Sequence, residues 1–375
     1  MKRLLIINEY CGHGSTGKIC GEIAEKYEKD GWKVKIAFGR DNYVPDCFKK
    51  YAVRITNDLD VKTAALECRI LDNAGLANRS NTKKFLKWAD DFNPDKVWLH
   101  NLHGYYINYE MLFDWIKSKP NLEVKWTLHD CWAFTGHCAY FTAIDCKKWK
   151  THCEKCPQKY SYPKSCVKDN SYNNYKRKKS SFTGVKDLTI IAPSQWLANL
   201  VKESFLREYP TKVIHNTIDT SIFKPTPSDF RKKYGLEDKI IILGVASVWE
   251  PRKGLNDFYK LATMLDNRYT IVLVGLSNKQ IKGLPKNIIG LKRTNSQKDL
   301  AAIYTAADVL FNPTYEDNYP TVNLEAQACG TTVVTYDTGG SSETVPIKNV
   351  LDVGNLHEAI NKFELLHKNS SIKKA

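Results

Sequence analysis

The chain has 375 residues, of which 42% are hydrophobic and 26% charged, and its 56 Lys and Arg residues outnumber 41 Asp and Glu to give a net charge of +15. This composition is that of an ordinary globular protein and excludes a collagen, a coiled coil and a wholly disordered chain. The length predicts two domains, and no apolar run reaches the roughly 18 residues that a membrane-spanning helix requires.

Short apolar runs alternate with amphipathic segments through the first half of the chain. Polar Asn8 interrupts the first run where a signal peptide would continue, so we expect a cytoplasmic protein. The predicted strands are Arg3–Tyr10, Lys33–Gly39, Lys96–Asn101, Val124–Asp130, Leu188–Ala192 and Lys212–His215. The predicted helices are Gly17–Lys29, Met111–Lys117 and Gln195–Phe205. Continuous β-branched runs separated by helices predict parallel strands that are buried on both faces.

A Pro-Thr-Pro-Ser connector at residues 225–228 precedes a second series of the same kind. Its predicted strands are Lys239–Ser247, Tyr269–Gly275, Asn287–Leu291, Asp308–Pro313 and Thr332–Tyr336. Its predicted helices are Leu255–Leu265, Gln297–Ala306, Thr321–Cys329 and a last one at Leu356–His367. The two series predict an α/β protein with two doubly wound, Rossmann-like parallel-sheet domains, residues 1–220 and residues 221–375. Because ligands bind beyond the carboxyl ends of such strands, we expect the site in a cleft between the domains.

The positive charge is concentrated in one segment, Cys146–Lys186. This segment holds twelve Lys and Arg and two acidic residues, including the run Lys176–Lys179. Such a segment predicts an acidic partner, and the alternative is a solvated basic face. No recognised nucleic-acid-binding motif accompanies the charge, so we expect no nucleic acid partner. Peripheral association with an anionic membrane fits the charge better.

The same region is rich in cysteine and forms an insertion at about residues 131–186. The spacing Cys138-x7-Cys146-x6-Cys153-x2-Cys156 places two thiolates at knuckle distance and two more upstream. Four thiolates can close a tetrahedral zinc site with no open position, so the sequence predicts structural zinc. Cys131, His137 or His152 could replace one ligand, and reduced, unliganded cysteines are the alternative.

The loop at Gly12–Ile19 lies between a predicted strand and a helix, where free backbone N–H groups bind anions. It nearly matches the phosphate-loop pattern G-x-x-x-x-G-K-[ST], but Ile19 stands where a hydroxyl group would bind magnesium. A P-loop nucleotide hydrolase and a purely structural turn are both alternatives here. The residues expected to contact a phosphate or a substrate hydroxyl are Gly14, Ser15, Thr16 and Gly17.

Histidines end two neighbouring strands of the first domain. His129 and Asp130 end one predicted strand, and His100 and His103 end the strand before it. Polar side chains at this position face the ligand crevice rather than the core. We therefore expect His129 and Asp130 to be catalytic, with the imidazole hydrogen-bonding a polar substrate or polarising a reacting group. A histidine satisfied within the core is the structural alternative.

Two segments of the second domain suggest a nucleotide site. Trp249–Gly254 follows the first strand and holds the adjacent cations Arg252 and Lys253, which suit a diphosphate. Tyr315–Gly330 runs from a strand end through a polar loop into a helix, whose N-terminus can face a phosphate. The carboxylate of Glu325 within that helix can accept two hydrogen bonds from a ribose diol. The structural alternatives are an ordinary basic turn and a solvent-facing helix residue.

Asp317 to Glu325, followed by Ala326–Gly330, resembles the E-x7-E signature of retaining glycosyltransferases of the GT4 family, also called glycosyl transferase group 1. Further segments that resemble the same family are Ala192–Trp196, Val213–Asp219, Asp308–Pro313 and Thr338–Glu343. The strand end Trp126–Asp130, with the Cys-rich insertion after it, resembles a subgroup of bacterial exopolysaccharide assembly of the colanic-acid type.

The resemblance implies a GT-B fold and hexosyl-type transfer with retention of anomeric configuration and no cofactor for catalysis. It implies a UDP- or GDP-linked sugar donor held mainly by the C-terminal domain, and a saccharide or lipid-linked saccharide acceptor held mainly by the N-terminal one. Carried onto this sequence, the donor diphosphate would be bound by Arg252, Lys253, Asn318, Tyr319 and the Gly14–Gly17 loop. The ribose would be bound by Glu325, and the donor sugar would contact Glu316. The catalytic residues would be Asp317, near the donor sugar, with His129 and Asp130 beside the reacting centre.

The sequence departs from the family pattern at two positions that bear on the donor. The first Glu of E-x7-E is Asp317 here, with Glu316 adjacent. The family's Arg five residues before the Lys falls on Val248, and Arg252 is the candidate replacement. These departures keep a second alternative open, a non-catalytic, zinc-bearing binding protein on a transferase scaffold.

Overall fold

The computed structural model describes residues 1–374, with side chains through residue 368. The chain divides into an N-terminal unit, Met1–His215, and a C-terminal unit that begins at Asn216. Each unit is built on one parallel sheet, with strand order β3-β2-β1-β4-β5-β6-β7 in the first and β10-β9-β8-β11-β12-β13 in the second. The predicted α/β class with two doubly wound parallel sheets is confirmed.

The N-terminal unit follows the predicted strand series and adds one short edge strand. Its strands are β1 (Arg3–Ile7), β2 (Lys33–Phe38), β3 (Ala52–Arg54), β4 (Lys96–Leu99), β5 (Glu123–Thr127), β6 (Leu188–Ala192) and β7 (Thr211–Val213). Its helices are α1 (Gly14–Lys29), α2 (Asp58–Leu71), α3 (Arg79–Phe92), α4 (Tyr109–Lys117), α5 (Ser171–Phe182) and α6 (Gln195–Glu203). Successive residues of β1 alternate between two cores, since Leu5 and Ile7 pack in one apolar cluster and Leu4 and Ile6 in the other.

The C-terminal unit repeats this plan on a smaller scale. Its strands are β8 (Ile240–Val245), β9 (Tyr269–Val274), β10 (Ile288–Leu291), β11 (Val309–Asn312), β12 (Thr332–Tyr336) and β13 (Val350–Leu351). Its helices are α7 (Phe230–Tyr234), α8 (Leu255–Met264), α9 (Asn278–Lys282), α10 (Gln297–Ala306), α11 (Thr321–Ala328) and α12 (Leu356–Lys374). The alternation along β8 again feeds two cores, with Ile242 in one and Leu243 in the other. Burial on both faces explains why these strands read as continuous apolar runs.

The Cys-rich insertion between β5 and β6 is packed into the N-terminal core rather than lying loose on its surface. Trp132, Phe134 and Trp149 are buried, and the Phe182 ring of α5 lies 4.8 Å from the ring of Trp126 on β5. The insertion therefore shares one apolar cluster with the sheet.

The basic run Lys176–Lys179 is not the continuous surface patch that its sequence suggests. Lys178 is buried, and its ammonium group donates to the carbonyls of Trp132 at 2.8 Å and Thr135 at 3.1 Å. Burial lowers the pKa of Lys178 to about 7. Arg177 forms two hydrogen bonds of 2.7 Å with the Glu110 carboxylate on α4. Two of the four charges thus fasten α5 to the unit.

Three helices of the N-terminal unit escaped the sequence analysis, namely α2, α3 and α5. A predicted helix carries an apolar stripe on its buried face, whereas α2 leaves large aliphatic side chains exposed and α5 is mostly polar. Within residues 1–374, no helix combines the length and apolar character that a membrane crossing requires.

Candidate active site

Three loops at the carboxyl end of the C-terminal sheet are tied together by hydrogen bonds. The Tyr315 N–H, after β11, donates to the Arg252 carbonyl, after β8, at 2.7 Å. The loop after β12 joins them, because the Thr338 hydroxyl donates to the Tyr315 carbonyl at 2.8 Å and the Gly340 N–H donates to the Asp317 carbonyl at 3.1 Å. Since β8, β11 and β12 are neighbours in the sheet, their ends share one edge, and the two segments singled out in the sequence lie side by side.

Two glycines allow this close approach. Gly254 has φ 74°, and a Cβ atom there would lie 2.1 Å from the Pro313 carbonyl oxygen. Gly339 has φ 56°, and a Cβ atom there would lie 2.0 Å from the Asp317 carbonyl oxygen. Both positions combine a left-handed backbone with a backbone contact that leaves no space for a side chain, so the loops can only meet as they do with glycine at each.

The joined loops bring the predicted donor residues into contact. The Lys253 ammonium forms a salt bridge with the Asp317 carboxylate, with both side chains mostly buried. The Asp317 carboxylate also accepts the Asn318 N–H at 2.9 Å. Arg252 donates to the Glu316 carbonyl at 3.0 Å and to the Glu250 carboxylate at 3.1 Å. Arg252 therefore braces the loop, whereas Lys253 and Asp317 present a paired cation and anion.

The remaining predicted residues of this unit lie around the start of α11. Glu325, one turn inside the helix, accepts the Tyr304 hydroxyl at 2.9 Å and is partly exposed. The Tyr319 carbonyl accepts the Asn216 side-chain amide at 3.0 Å. The side chains of Glu316 and Asn318 are buried within the loop.

Asp257 is a buried anchor beneath these loops that the sequence analysis missed. Its carboxylate, in the first turn of α8, accepts the Tyr315 hydroxyl at 2.8 Å and the Tyr336 hydroxyl at 2.9 Å. Burial, followed by the carboxylate, raises the pKa of Tyr315 to about 12. Asp257 thereby links α8 to the loop after β11 and to the end of β12. An acidic residue near the start of a helix is common, because it interacts favourably with the helix dipole. The sequence around Asp257 therefore does not indicate its two distant tyrosine partners.

A second cluster of polar side chains lies at the carboxyl ends of β1, β4 and β5 in the N-terminal unit. His103 Nε2 lies 3.0 Å from the Asp130 carboxylate, and His103 Nδ1 lies 3.0 Å from the Tyr162 hydroxyl and 3.4 Å from the Glu9 carboxylate. Arg40, after β2, pairs with Glu9 at 3.3 Å. His129 is set apart from this charged group, because its Nε2 lies 2.9 Å from His100 Nδ1, with the rings stacked.

The histidines at this edge differ in charge. Burial, and for His100 the neighbouring imidazole, lowers the pKa of both His100 and His129, that of His129 to about 4. Burial opposes the charge on His103 as well, but the Asp130 and Glu9 carboxylates outweigh it and raise its pKa. Burial also opposes the charge on Asp130, yet the His103 imidazole and the Trp132 N–H lower its pKa. A neutral His100–His129 pair therefore lies beside a charged His103–Asp130 pair.

The Gly12–Ile19 loop differs from a phosphate loop in its backbone. Helix α1 already begins at Gly14, and His13, its N-cap, makes no side-chain capping hydrogen bond. Gly14, Ser15, Thr16 and Gly17 thus form the first helical turn, the position at which N–H groups lack helical partners. A phosphate loop wraps its glycines around the anion before the helix starts, so this geometry does not favour the P-loop hydrolase.

The predicted zinc site is not supported. Cys138, Cys146, Cys153 and Cys156 do border one small cavity, together with His137. However, in the part of the chain that the structure describes, no three His, Cys, Asp or Glu side chains converge so as to hold a metal ion. Cys138 and Cys156 instead change each other's pKa, that of Cys138 upward and that of Cys156 downward to about 7, so these two thiols interact with one another.

Residues 228–374 match the family described as "Glycosyl transferases group 1", which confirms the resemblance over this part of the chain. The putative colanic acid biosynthesis glycosyl transferase WcaC of Escherichia coli K12 is 24% identical over 260 residues. That alignment covers 67% of this chain and 62% of WcaC, so the chain spans less than two thirds of this relative.

The fold is also that of solved glycosyltransferases. Sucrose-phosphate synthase from Thermosynechococcus elongatus superposes with a TM-score of 0.69 at 15% identity, covering 99% of this chain and 91% of that one. Anabaena HepE in complex with UDP superposes with a TM-score of 0.65 at 18% identity and the same coverage, and HepE has also been solved with UDP-glucose. These likenesses show the GT-B fold.

We expect Asp257→Ala to destabilise the protein by about 2–4 kcal/mol, because two buried tyrosine hydroxyls lose their shared acceptor. Urea unfolding of the full chain measures this change. Asp257→Asn keeps one acceptor oxygen and should lose less. Asp266→Ala, at an exposed position, is the control, and a loss no larger than that of this control would contradict the anchoring role.

We expect His129 to stay neutral, and His103 charged, around pH 6.5. The unfolded chain takes up the His129 proton near the ordinary pKa of 6.5, whereas the folded chain does so only near 4. Stability should therefore fall as the pH drops between these values, and His129→Gln should reduce the slope. The raised pKa of His103 acts oppositely, stabilising the fold at low pH until the pH rises through it. Imidazole NMR titration measures both, and a His129 resonance titrating near 6.5 would refute this assignment.

Proposed function

We propose that this chain, whose residues 228–374 form a group 1 glycosyltransferase domain, transfers a hexosyl-type sugar from a nucleotide-diphosphate sugar to a saccharide or lipid-linked saccharide. The reaction proceeds with retention of configuration and needs no cofactor. The observation that carries the proposal is the junction of the loops after β8, β11 and β12, which holds Lys253 against Asp317. The name of WcaC, which refers to colanic acid, supports a role in bacterial exopolysaccharide or cell-surface polysaccharide synthesis on the cytoplasmic side of the membrane.

The donor side of the proposal follows from the charges of the C-terminal unit. As the bond between the anomeric carbon and the diphosphate oxygen breaks, negative charge grows on the leaving nucleoside diphosphate. Lys253 is the cation that neutralises it, and the N-terminus of α11 adds N–H donors beyond Asn318 and Tyr319. Arg252 contributes by holding the loop. HepE binds UDP and UDP-glucose, which supports UDP as the first nucleotide to test.

Two carboxylates complete the donor site. Glu325 is partly exposed and accepts the Tyr304 hydroxyl, and a carboxylate has enough acceptor positions to accept the ribose hydroxyls as well. Asp317 lies beside the donor sugar, and Glu316, whose side chain is buried, supports the loop around it. In the N-terminal unit, His129 and Asp130 are the catalytic residues, and the first turn of α1, Gly14–Gly17, offers N–H groups to a phosphate or to the acceptor.

Lys253→Ala should remove nucleotide binding. The ligands tested are UDP, GDP, ADP and their sugars. We expect the one that binds best to raise the melting temperature of the wild type in proportion to occupancy. The variant loses the cation that faces the diphosphate, so its shift should disappear. Lys279→Ala removes an exposed lysine of the same unit and should keep the full shift. An unchanged shift in Lys253→Ala would overturn the donor site.

Glu325→Gln should weaken nucleotide binding about tenfold or more, because the ribose loses a charged acceptor worth about 1.5–3 kcal/mol. Calorimetric titration with UDP measures the affinity. Tyr304→Phe is the matched control, since it removes the hydroxyl that Glu325 accepts and leaves the carboxylate in place. The same substitution is then measured with 2′-deoxy-UDP. If it again lowers the affinity tenfold although the 2′-hydroxyl is absent, Glu325 does not act on the ribose.

Retention is tested on the product. We expect the anomeric configuration of the transferred sugar, read from its proton NMR coupling, to equal that of the donor. A product of opposite configuration would exclude the retaining reaction while leaving nucleotide-sugar binding intact. Release of the nucleotide with no sugar transferred to any acceptor would favour the non-catalytic alternative.

A further inference from the structure

Helix α2 presents large aliphatic side chains to solvent. It buries Ala64 and Cys68 against the N-terminal unit, whereas Leu59, Leu66 and Ile70 are 72%, 55% and 44% exposed. Their spacings of seven and four residues place them along one face of the helix. A single exposed leucine is ordinary, but an apolar row on one helix marks a surface that contacts something.

The insertion extends this row. The Cys166 N–H donates to the Arg69 carbonyl at 2.7 Å and the Lys168 N–H donates to the Ile70 carbonyl at 3.1 Å, so this part of the insertion runs along the end of α2. Val167 between them is 61% exposed. We call Leu66, Ile70, Tyr160 and Val167, with Lys159, Lys164 and Lys168, the α2 face.

One lysine of the α2 face, Lys159, is fastened to the same structure. Lys159 donates to the Val167 carbonyl at 3.2 Å, and its ammonium lies 4.9 Å from the centre of the exposed Tyr160 ring. The Lys159 carbonyl in turn accepts the Ser165 N–H at 2.7 Å. Cationic, aromatic and aliphatic groups are thus held close together by the backbone of the insertion.

The charge of this surface is mainly positive, and it comes from the insertion. Residues 155–168 contain four lysines and no acidic residue. Helix α2 itself is nearly balanced, with three acidic and two basic residues. Asp58 pairs with Arg54, whereas Asp60 and Glu67 contact the neutral amides of Asn81 and Asn73. An apolar row bordered by lysines complements a surface that offers acyl chains and phosphate groups at once, which is the interface of an anionic bilayer.

We propose that the α2 face docks this protein on the surface of an anionic phospholipid bilayer, with Leu66, Ile70 and Val167 entering the interface and the lysines meeting lipid phosphates. The proposal goes beyond sugar transfer and does not depend on the donor site. It assigns membrane contact to this surface rather than to the run Lys176–Lys179, whose members Arg177 and Lys178 are engaged within the unit.

The test is co-sedimentation of the full chain with vesicles of phosphatidylcholine alone or mixed equally with phosphatidylglycerol. The wild type should sediment with the mixed vesicles and lose binding as salt is raised. Lys164→Gln/Lys168→Gln should weaken binding about tenfold or more, since each lysine near the surface is worth about 1 kcal/mol. Leu66→Ser/Val167→Ser should weaken binding to a similar degree and leave what remains fully salt-sensitive.

Two matched pairs control for charge and for exposed apolar area. Lys176→Gln/Lys179→Gln removes the same charge from α5, and Ile347→Ser/Val353→Ser removes exposed apolar side chains from the C-terminal unit. Both should bind vesicles as the wild type does. Three results would each overturn the proposal. The first is an equal loss of binding in the α2 and α5 lysine pairs, and the second is equal binding of the wild type to both kinds of vesicle. The third is a dimer in size exclusion that only the α2-face variants dissociate. The UDP-induced rise in melting temperature should persist in every variant, so that a failure here is separate from a failure of the donor site.

Discussion

The close approach of three loops at the backbone of Asp317 is the constraint on which the C-terminal site depends. Its carbonyl accepts the Gly340 N–H and lies where a side chain on Gly339 would have to go. The loop after β12 thus holds the Asp317 backbone, and the Tyr315 N–H holds the loop after β8 through the Arg252 carbonyl. In this arrangement the Asp317 carboxylate contacts Lys253. A mostly buried lysine without a partner would bear the full cost of desolvation, so Asp317 keeps the cation in place before any ligand arrives. In the proposed donor complex, a diphosphate would exchange one anionic partner of Lys253 for another.

In the N-terminal cluster, histidines with raised and lowered pKa values lie next to one another. The ends of three strands that are neighbours in the sheet, β1, β4 and β5, supply Glu9, His103 and Asp130. The insertion adds Tyr162. The Asp130 and Glu9 carboxylates outweigh burial and raise the pKa of His103, whereas burial lowers the pKa of its neighbours His100 and His129. An imidazole that is neutral at physiological pH can both donate and accept a hydrogen bond, which suits an interaction with a sugar hydroxyl. The charged pair, in contrast, fixes the loop that carries His129.

Much of the fold and part of the site could be predicted from the sequence, and the failures have physical causes. The parallel strands were predictable because burial on both faces leaves continuous apolar runs, and the loops of Lys253, Asp317 and Glu325 were located because each follows such a strand. Helix α2 was missed because it exposes large aliphatic side chains and buries the small Ala64 and Cys68, so its sequence shows no clear apolar stripe toward the core. Asp257 and Glu9 were missed because their partners are remote in sequence, 79 residues away for Tyr336 and 153 for Tyr162. The cysteine spacing indicated proximity, which the shared cavity bears out, but spacing alone does not determine whether sulfur atoms converge.

The departures from the family pattern at Asp317 and Val248 have a common structural consequence. Val248 is mostly exposed and brings no charge, and the nearby Arg252 is committed to the Glu316 carbonyl and the Glu250 carboxylate. In the proposed donor site, Lys253 is then the principal cation. The Asp317 carboxylate contacts both the Lys253 ammonium and the neighbouring Asn318 N–H. A functional site requires its side chains to be held in position by their neighbours, and the contact with Asp317 supplies that restraint to Lys253.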